Sequence, residues 1–399
     1  MLRTKIARND KLDWDCFVRH TTWRTRNGNV LVDITQKLVN INDMRKYLWL
    51  CAVVVLYCNK LPIGDDEMNQ RGGFEGQVLE LQTINSFTEN KKIALGTSGN
   101  LVIGKGDNYE SHIILKFTFS DTSFEGLDEI KLVMRINSSF DNDTVPVGIH
   151  ILTNSFTEDE ATWEKRSNTA GWDSAGGDYE EQPLRNGVII GDSMVVYFNY
   201  VELNRIKTAQ GIILIPQDSG FAYLYSREGG HATTFQLVKN GEVAVYSTTG
   251  DCHVLNGPLP FYVENWIGSG IASRNFIIFN YDSTLADKRA IYGELRFTFD
   301  SFFSRLDSVE IGVKELNEHA SGFDTELGPL IALKSVSVDD TICTIDIVHY
   351  VQRMIDFPDS NFGLCLYITP ENYDLSTVKI TDGSFRLKVG YLSPPEPRD

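Results

Sequence analysis

The sequence contains few cysteines and no C-x-x-C pair. Six cysteines occur in 399 residues, and Cys16, Cys51 and Cys58 all lie near the N-terminus. The remaining three, at 252, 343 and 365, are an odd number, so they cannot form a complete disulfide framework, and no spacing suits structural zinc. Cys343 and Cys365 lie in strand-like runs. We predict that they are buried thiols, with a disulfide as the alternative.

Short catalytic motifs are also absent. The chain has no G-x-S-x-G, no H-E-x-x-H, no phosphate-binding P-loop and no G-x-G-x-x-G that opens a helix. We therefore predict a protein that is not an enzyme. Polysaccharide lyases and glycosidases on β-sandwiches often lack short motifs, so a lyase or hydrolase stays as a third hypothesis. The catalytic carboxylates would come from an acidic segment. The alternative is that these residues simply lie on a solvated loop. They are Glu158, Asp159, Glu160, Asp173, Asp178, Glu180 and Glu181.

Positive charge is in short supply. The chain has 54 acidic and 37 basic residues, a formal net charge of -17, which would repel a polyanion. We predict no nucleic-acid partner. None of the seven histidines has ligand spacing to a second histidine or to a cysteine, so no catalytic metal is expected. No cofactor is predicted, although the acidic turn at residues 140–144 would allow calcium through its oxygens.

The longest apolar run, at residues 47–57, is shorter than a membrane-spanning helix. It follows Arg45 and Lys46 and precedes Cys58, as in a bacterial lipoprotein signal that is acylated at the cysteine. Tyr57 departs from the small residue usual before that cysteine. We predict an export signal over 44–58, preceded at 1–43 by a disordered leader or a mis-assigned start. The protein would then lie in the cell envelope or outside the cell, with membrane contact only through the signal or lipid. A buried strand or helix is the alternative.

Short alternating runs dominate the chain from about residue 75. In residues 112–119, Leu115, Phe117 and Phe119 alternate with Lys116 and Thr118, which is typical of a strand with one buried face. Clusters of Gly, Asn, Asp and Ser separate such runs. This pattern predicts an all-β sandwich or barrel.

The two helix-like segments, at residues 200–206 and 347–355, occupy the same place in an internal repeat. Asn199 and Asp346 precede them and are predicted helix caps. The order and spacing of the following strands agree in both copies. The sequence therefore predicts two tandem antiparallel β-sandwiches, each with one short helix, over 75–248 and 258–392 with a seam near 248–258.

Residues 75–240 resemble the DNRLRE domain, a family that overlaps the disaggregatase-related repeats and the family-96 carbohydrate-binding modules. The landmarks are residues 101–104, 115–117, 130–135 and 156–163, Asn199 with its helix, residues 211–214 and residues 226–228. The resemblance implies a jelly-roll sandwich and attachment to polysaccharide. The second copy lacks Thr162 and Trp163 and has residues 380–382 in place of Ser-Arg-Glu, so it is a degenerate member.

The long loop at 164–186 is the leading candidate for binding, because long loops in compact domains tend to be functional. Aromatic faces stack on sugars, and guanidinium groups bind hydroxyls or uronate carboxylates. The candidate ligand-binding residues are Trp172, Tyr179, Arg185, Tyr225 and Arg227. Buried packing or ion pairing is the alternative for each.

We expect any site in the first module or at the seam. The leading hypothesis is non-catalytic polysaccharide binding by an exported protein. The second is a structural envelope protein in which the sandwiches act as spacers. The sugar and the oligomeric state stay open.

Overall fold

The computed structural model describes residues 76–393 apart from 121–123, 141–143, 262 and 305. Strands dominate them, in two antiparallel sheets of ten strands and one small hairpin. The predicted all-β fold with jelly-roll-like sandwiches is confirmed. Among the described residues, no helix is long and apolar enough to cross a membrane.

The first module consists of strands β2–β13 and helix α1. In chain order its elements are β2 (Asn100–Gly106), β3 (Tyr109–Phe117), β4 (Glu129–Phe140), β5 (Thr144–Leu152), β6 (Lys165–Ser167), β7 (Ala170–Gly171), β8 (Arg185–Ile190), β9 (Ser193–Tyr197), α1 (Tyr200–Thr208), β10 (Gly211–Pro216), β11 (Gly220–Tyr225), β12 (Thr234–Lys239) and β13 (Glu242–Asn256). The large sheet runs β13-β12-β4-β11-β2-β3-β10-β5-β8, with β9 beside β4 and a further pairing of β13 with β3.

The second module consists of β1 and β14–β22 with helix α2. Its elements are β1 (Gly76–Lys92), β14 (Trp266–Ser269), β15 (Ile271–Phe279), β16 (Arg289–Ser304), β17 (Ser308–Leu316), β18 (Leu327–Ser337), β19 (Ile342–Asp346), α2 (Val348–Asp356), β20 (Leu364–Ile368), β21 (Ser376–Ile380) and β22 (Arg386–Leu392), with 3₁₀ turns at Ser283–Leu285 and Pro358–Ser360. Its sheet runs β1-β22-β16-β21-β14-β15-β20-β17-β18, with β19 beside β16 and β1 also pairing with β15. The strand order of this sheet repeats that of the first module, which adds the small β6–β7 hairpin.

Strand β3 shows how the alternating pattern builds the core. Ile113 and Leu115 face the interior of the first sandwich, where Phe117 and Phe119 join them at its edge. Ile114, which lies between Ile113 and Leu115 in the sequence, packs instead in a second cluster on the outer face of the sheet. Successive strand residues point to opposite faces, so a strand with apolar residues at every position is buried on both sides.

The two predicted helix caps differ. Asn199 caps α1 as predicted: its Oδ1 accepts the Glu202 N–H at 2.9 Å, and Glu202 accepts the Asn199 N–H at 2.8 Å. At α2 the cap position is held by Ile347, not Asp346. Asp346 still accepts the Val348 N–H at 3.0 Å, so the predicted cap is displaced by one residue while the carboxylate serves the same end of the helix.

The two long strands β1 and β13 are exchanged between the modules. Each repeat in the sequence begins with a long strand, β1 before β2 and β13 before β14. β1 nevertheless pairs with β22 and β15 of the second module, whereas β13 pairs with β12 and β3 of the first. Two connectors, residues 93–99 and 257–265, therefore pass between the modules.

This exchange changes the predicted boundaries. Residues 75–248 contain β1, which belongs to the second module, and lack the half of β13 that pairs with β3. The turn-like residues near 248 mark a register shift between Thr248 and Gly250, where β13 passes from β12 to β3. A bulge and a turn use similar residue types, which explains the predicted seam position.

A third apolar cluster, the seam core, joins the modules. The first module and connector 93–99 contribute Ile93, Leu95, Val102, Tyr109, Phe221, Tyr223 and Leu255, and the second contributes Ile271, Phe303 and Leu375. The Tyr109 and Phe303 rings stack with centroids 4.7 Å apart. The Tyr223 hydroxyl accepts the Leu375 N–H at 3.1 Å, which ties the two sandwiches together through a buried hydrogen bond.

Cys252, Cys343 and Cys365 are all free and buried, and burial raises the pKa of Cys343 and of Cys365 to about 12. The predicted buried thiols are confirmed. The leader, the export signal with Cys58, and the centre of the proposed calcium turn at 140–144 lie outside the described residues.

The exchange predicts unequal behaviour of two fragments. Residues 93–258 contain every strand of the first module and should unfold cooperatively. Residues 259–393 lack β1, whose Leu81 and Phe87 side chains are buried in the second module, and should fold only when a peptide of residues 76–92 is added. Thermal unfolding followed by circular dichroism measures this.

The matched control is the same peptide with Leu81→Asp and Phe87→Asp, which should give no rescue. An unchanged transition of fragment 259–393 with and without peptide would show that β1 is dispensable.

Candidate functional site

A groove of about 570 Å³ lies at the seam, where the end of β1 meets the β5–β8 loop of the first module. We call it the seam groove. Its lining residues are Lys91, Lys92, Ile93, Ala94, Asp159, Glu160, Thr162, Glu164, Lys165, Asn168 and Leu259. The exchange creates this groove, because β1 and connector 93–99 form one wall and the loop forms the other.

Ion pairs and hydrogen bonds hold much of the groove in place. Lys91 Nζ contacts Asp324 Oδ1 at 2.7 Å. Lys92 pairs with Glu164 and also donates to Asn256 Oδ1 at 2.9 Å, which links β1 to the loop and to the end of β13. The exposed side chains of Lys165 and Asp159 extend from the loop into the same groove.

The loop is anchored by an arginine that we call the latch. Arg227 Nη2 donates to both oxygens of Glu158, at 3.1 and 2.9 Å, and Arg227 Nη1 donates to the Thr249 carbonyl at 2.9 Å. Its Nε donates to Glu228 at 3.1 Å. Two of the landmarks of the sequence, residues 156–163 and 226–228, thus meet in one charge-assisted contact between Glu158 and Arg227.

The neighbours of the latch, Ser226 and Glu158, also hold connector 93–99 in place. The Ser226 hydroxyl donates to the Ser98 carbonyl at 2.6 Å. Gly96 lies directly against the Glu158 backbone, so any side chain there would collide with the Glu158 carbonyl oxygen. The Ser-Arg-Glu segment therefore positions both walls of the seam groove, the connector and the loop.

Asp251 is buried behind the latch. One of its oxygens accepts the Arg227 N–H at 3.0 Å and the Thr248 hydroxyl at 3.3 Å, whereas Oδ1 has no hydrogen-bond partner within the described part of the chain. Burial, together with the charges of Glu228 and Glu158, raises the pKa of Asp251 to about 6. The cost of burying this charge is the physical cause.

Glu158, Glu228 and Asp251 each place an oxygen within 4.8 Å of the others, a spacing compatible with a cation. Arg227 already supplies positive charge there, with ion pairs to Glu158 and Glu228 at 2.9 Å. The cluster is therefore explained as an ion-pair network, and we assign it no metal.

The buried position of Trp172 argues against its predicted role as a sugar platform. It is 8% exposed and packs in the outer cluster with Trp163, Ile114 and Cys252, while its Nε1 donates to the Thr162 carbonyl at 2.9 Å. The loop folds its aromatic residues onto the sheet because this burial removes apolar area from water.

The other candidates contact different neighbours. Tyr179 is 37% exposed and lies edge-on to His150, and Tyr225 lies edge-on to His231. Arg185 Nε donates to Glu202 at 3.0 Å. The five candidates do not line the seam groove.

The lysines of the groove were not predicted as binding residues, because no local pattern marks them. Lys91 and Lys92 lie at the end of a strand whose module could not be read from the sequence, and Lys165 lies in a loop where a lysine is ordinary. Three expectations did point to this place: the long loop at 164–186, the acidic residues that include Asp159 and Glu160, and a site at the seam.

In the second module, the counterpart loop at residues 317–326 is much shorter. Arg274 donates to both oxygens of Glu371 at 2.8 Å and to the Phe323 carbonyl at 2.8 Å. An arginine thus secures the loop here too, but it lies on strand β15 and not in the turn after β11 that carries Arg227. The long loop that forms the groove belongs to the first module alone.

Comparison with known proteins adds no assignment: no protein-family model matches the sequence, and no curated protein matches it. The resemblance to the DNRLRE domain stays a prediction from the landmarks.

Removal of the Glu158 carboxylate, which the latch arginine binds, should destabilise the protein. Glu158→Ala leaves the Asp251 N–H without its acceptor, Glu158 Oε1 at 2.9 Å, and removes one of the two ion-pair partners of Arg227. We expect a loss of about 1–3 kcal/mol in the free energy of unfolding, measured with urea. Asp159→Ala, one residue away and exposed, is the control and should change it by about 0.5 kcal/mol or less. Equal effects of the two variants would contradict the latch.

Stability should also depend on pH through Asp251. Because the folded chain holds this proton up to about pH 6 and the unfolded chain releases it near 3.8, stability falls as pH rises through that window. Asp251→Asn should match the parent near pH 4 and exceed it at pH 7, by up to about 3 kcal/mol. Urea unfolding at both pH values measures the difference. A difference that does not vary with pH would refute the assignment.

Proposed function

We propose that this protein is an exported, non-catalytic polysaccharide-binding protein whose binding site is the seam groove. The observation that supports the proposal most is the groove itself. Its volume lies within the roughly 300–1,000 Å³ usual for ligand sites. The implied relationship to carbohydrate-binding modules points to the same class of ligand.

The groove chemistry suits a chain of sugars. Lys165 supplies an ammonium donor, Asp159 a carboxylate acceptor, and Asn168 and Thr162 further polar groups. Sugar hydroxyls donate and accept hydrogen bonds, so a wall of mixed character satisfies both functions. Ile93, Ala94 and Leu259 add a small apolar strip for the C–H surface of a ring.

The exchanged strands favour a second candidate function, an envelope spacer. With β1 in the second module and β13 in the first, two connectors and the seam core hold the sandwiches together. A body built this way would keep its two ends at a fixed separation. A spacer requires no ligand in the groove.

Hydrolysis or lyase activity is the third candidate. A glycosidase needs two carboxyl groups that reach the scissile bond. Asp251 has the raised pKa of a general acid, but it is buried, and Glu158 is held by Arg227. We therefore place this pair in the architecture rather than in catalysis.

Retention on immobilised polysaccharides tests the proposal. Residues 75–393 should be retarded in gels that contain a suitable polysaccharide, and Lys165→Ala should weaken retention about tenfold, since it removes a charged hydrogen-bond donor. Lys239→Ala, an equally exposed lysine on β12, is the control and should have no effect.

No retention on any polysaccharide would favour the spacer. Release of oligosaccharides during incubation would favour the enzyme hypothesis instead.

A further inference from the structure

The charges that line the seam groove are balanced. Three lysines, Lys91, Lys92 and Lys165, face three carboxylates, Asp159, Glu160 and Glu164. Two of the lysines are already paired within the protein, Lys91 with Asp324 and Lys92 with Glu164. The groove therefore offers an anionic chain no net positive charge, on a protein whose formal net charge is -17.

The guanidinium groups that would suit a uronate are also occupied. Arg227 donates to both oxygens of Glu158, and Arg185 pairs with Glu202. A bidentate guanidinium is the usual partner of a planar carboxylate. To bind a uronate, either arginine would have to give up an internal ion pair.

The carboxylates on the loop wall, Asp159 and Glu160, repel an anionic chain. Asp159 is exposed, Glu160 accepts the Asn168 N–H at 2.9 Å, and both carboxylates line the groove that a bound chain would occupy. Like charges at short range repel, most strongly where solvent is partly excluded. A neutral sugar meets the same carboxylates as hydrogen-bond acceptors for its hydroxyls.

Resting on the proposed function, we propose that the seam groove selects a neutral polysaccharide over a polyuronate. Binding comes from hydrogen bonds between hydroxyls and the mixed donors and acceptors of the two walls. It should therefore depend little on ionic strength.

The experiment compares retention of the full chain in gels with neutral and anionic polysaccharides. A linear β-glucan and a galactomannan are the neutral probes, and alginate and polygalacturonate are the anionic ones, each at 20 and 300 mM salt. We expect retention on at least one neutral probe at both salt concentrations and none on the polyuronates.

A charge-shifted variant sharpens the test. Asp159→Asn with Glu160→Gln keeps the size of each side chain and one acceptor oxygen but leaves the lysines in excess, so this variant should gain polyuronate retention that high salt removes. Asp218→Asn with Glu242→Gln changes the net charge equally at exposed positions outside the groove and should gain none. Thermal midpoints establish that both variants are folded.

The outcomes separate the two proposals. Retention on polyuronates that Lys165→Ala and salt both weaken would overturn the selectivity while leaving polysaccharide binding in place. A lack of retention on all four probes would overturn both. Polyuronate retention by the control pair would show that net charge, not the groove, decides.

Discussion

The pairing of β1 with the second module is the constraint on which the rest of the structure depends. A strand at the start of the described chain closes a sandwich whose other strands begin almost two hundred residues later. After β1, the chain crosses the seam through connector 93–99 to begin the first module at β2. After β13, it crosses the seam again to reach β14 in the second module. The two crossings bring connector 93–99 under the long loop, bury the seam core and create the groove.

The latch explains why two of the landmarks lie where they do. Glu158 and Arg227 are 69 positions apart, and they meet over connector 93–99, which Ser226 and Gly96 hold close. Their role is architectural, since they fix the loop that forms one wall of the groove. The second module has a short loop and secures it with Arg274 instead, so the loss of those landmarks there follows from the loss of the loop.

Local patterns predicted what local physics decides. Alternation of apolar residues identified β3, and the helix cap at Asn199 followed from a polar residue before a helical run. The exchange could not be predicted, because β1 carries the same pattern whichever module it joins. The packing of Trp172 could not be predicted for a similar reason: a tryptophan in a loop looks the same whether it faces a ligand or packs on its own sheet. The groove depends on the exchange of β1 and on the packing of the long loop, and both are set by contacts between residues far apart in the sequence.

The exchanged strands and the seam core should make the two modules one cooperative unit. Hydrogen exchange in moderate denaturant tests it most directly, through peptides from the buried strands β10 and β20, one in each module. Both peptides should lose protection in a single correlated event, at the same rate and with the same denaturant dependence. Loss of protection in β20 at a rate clearly different from that of β10 would contradict it.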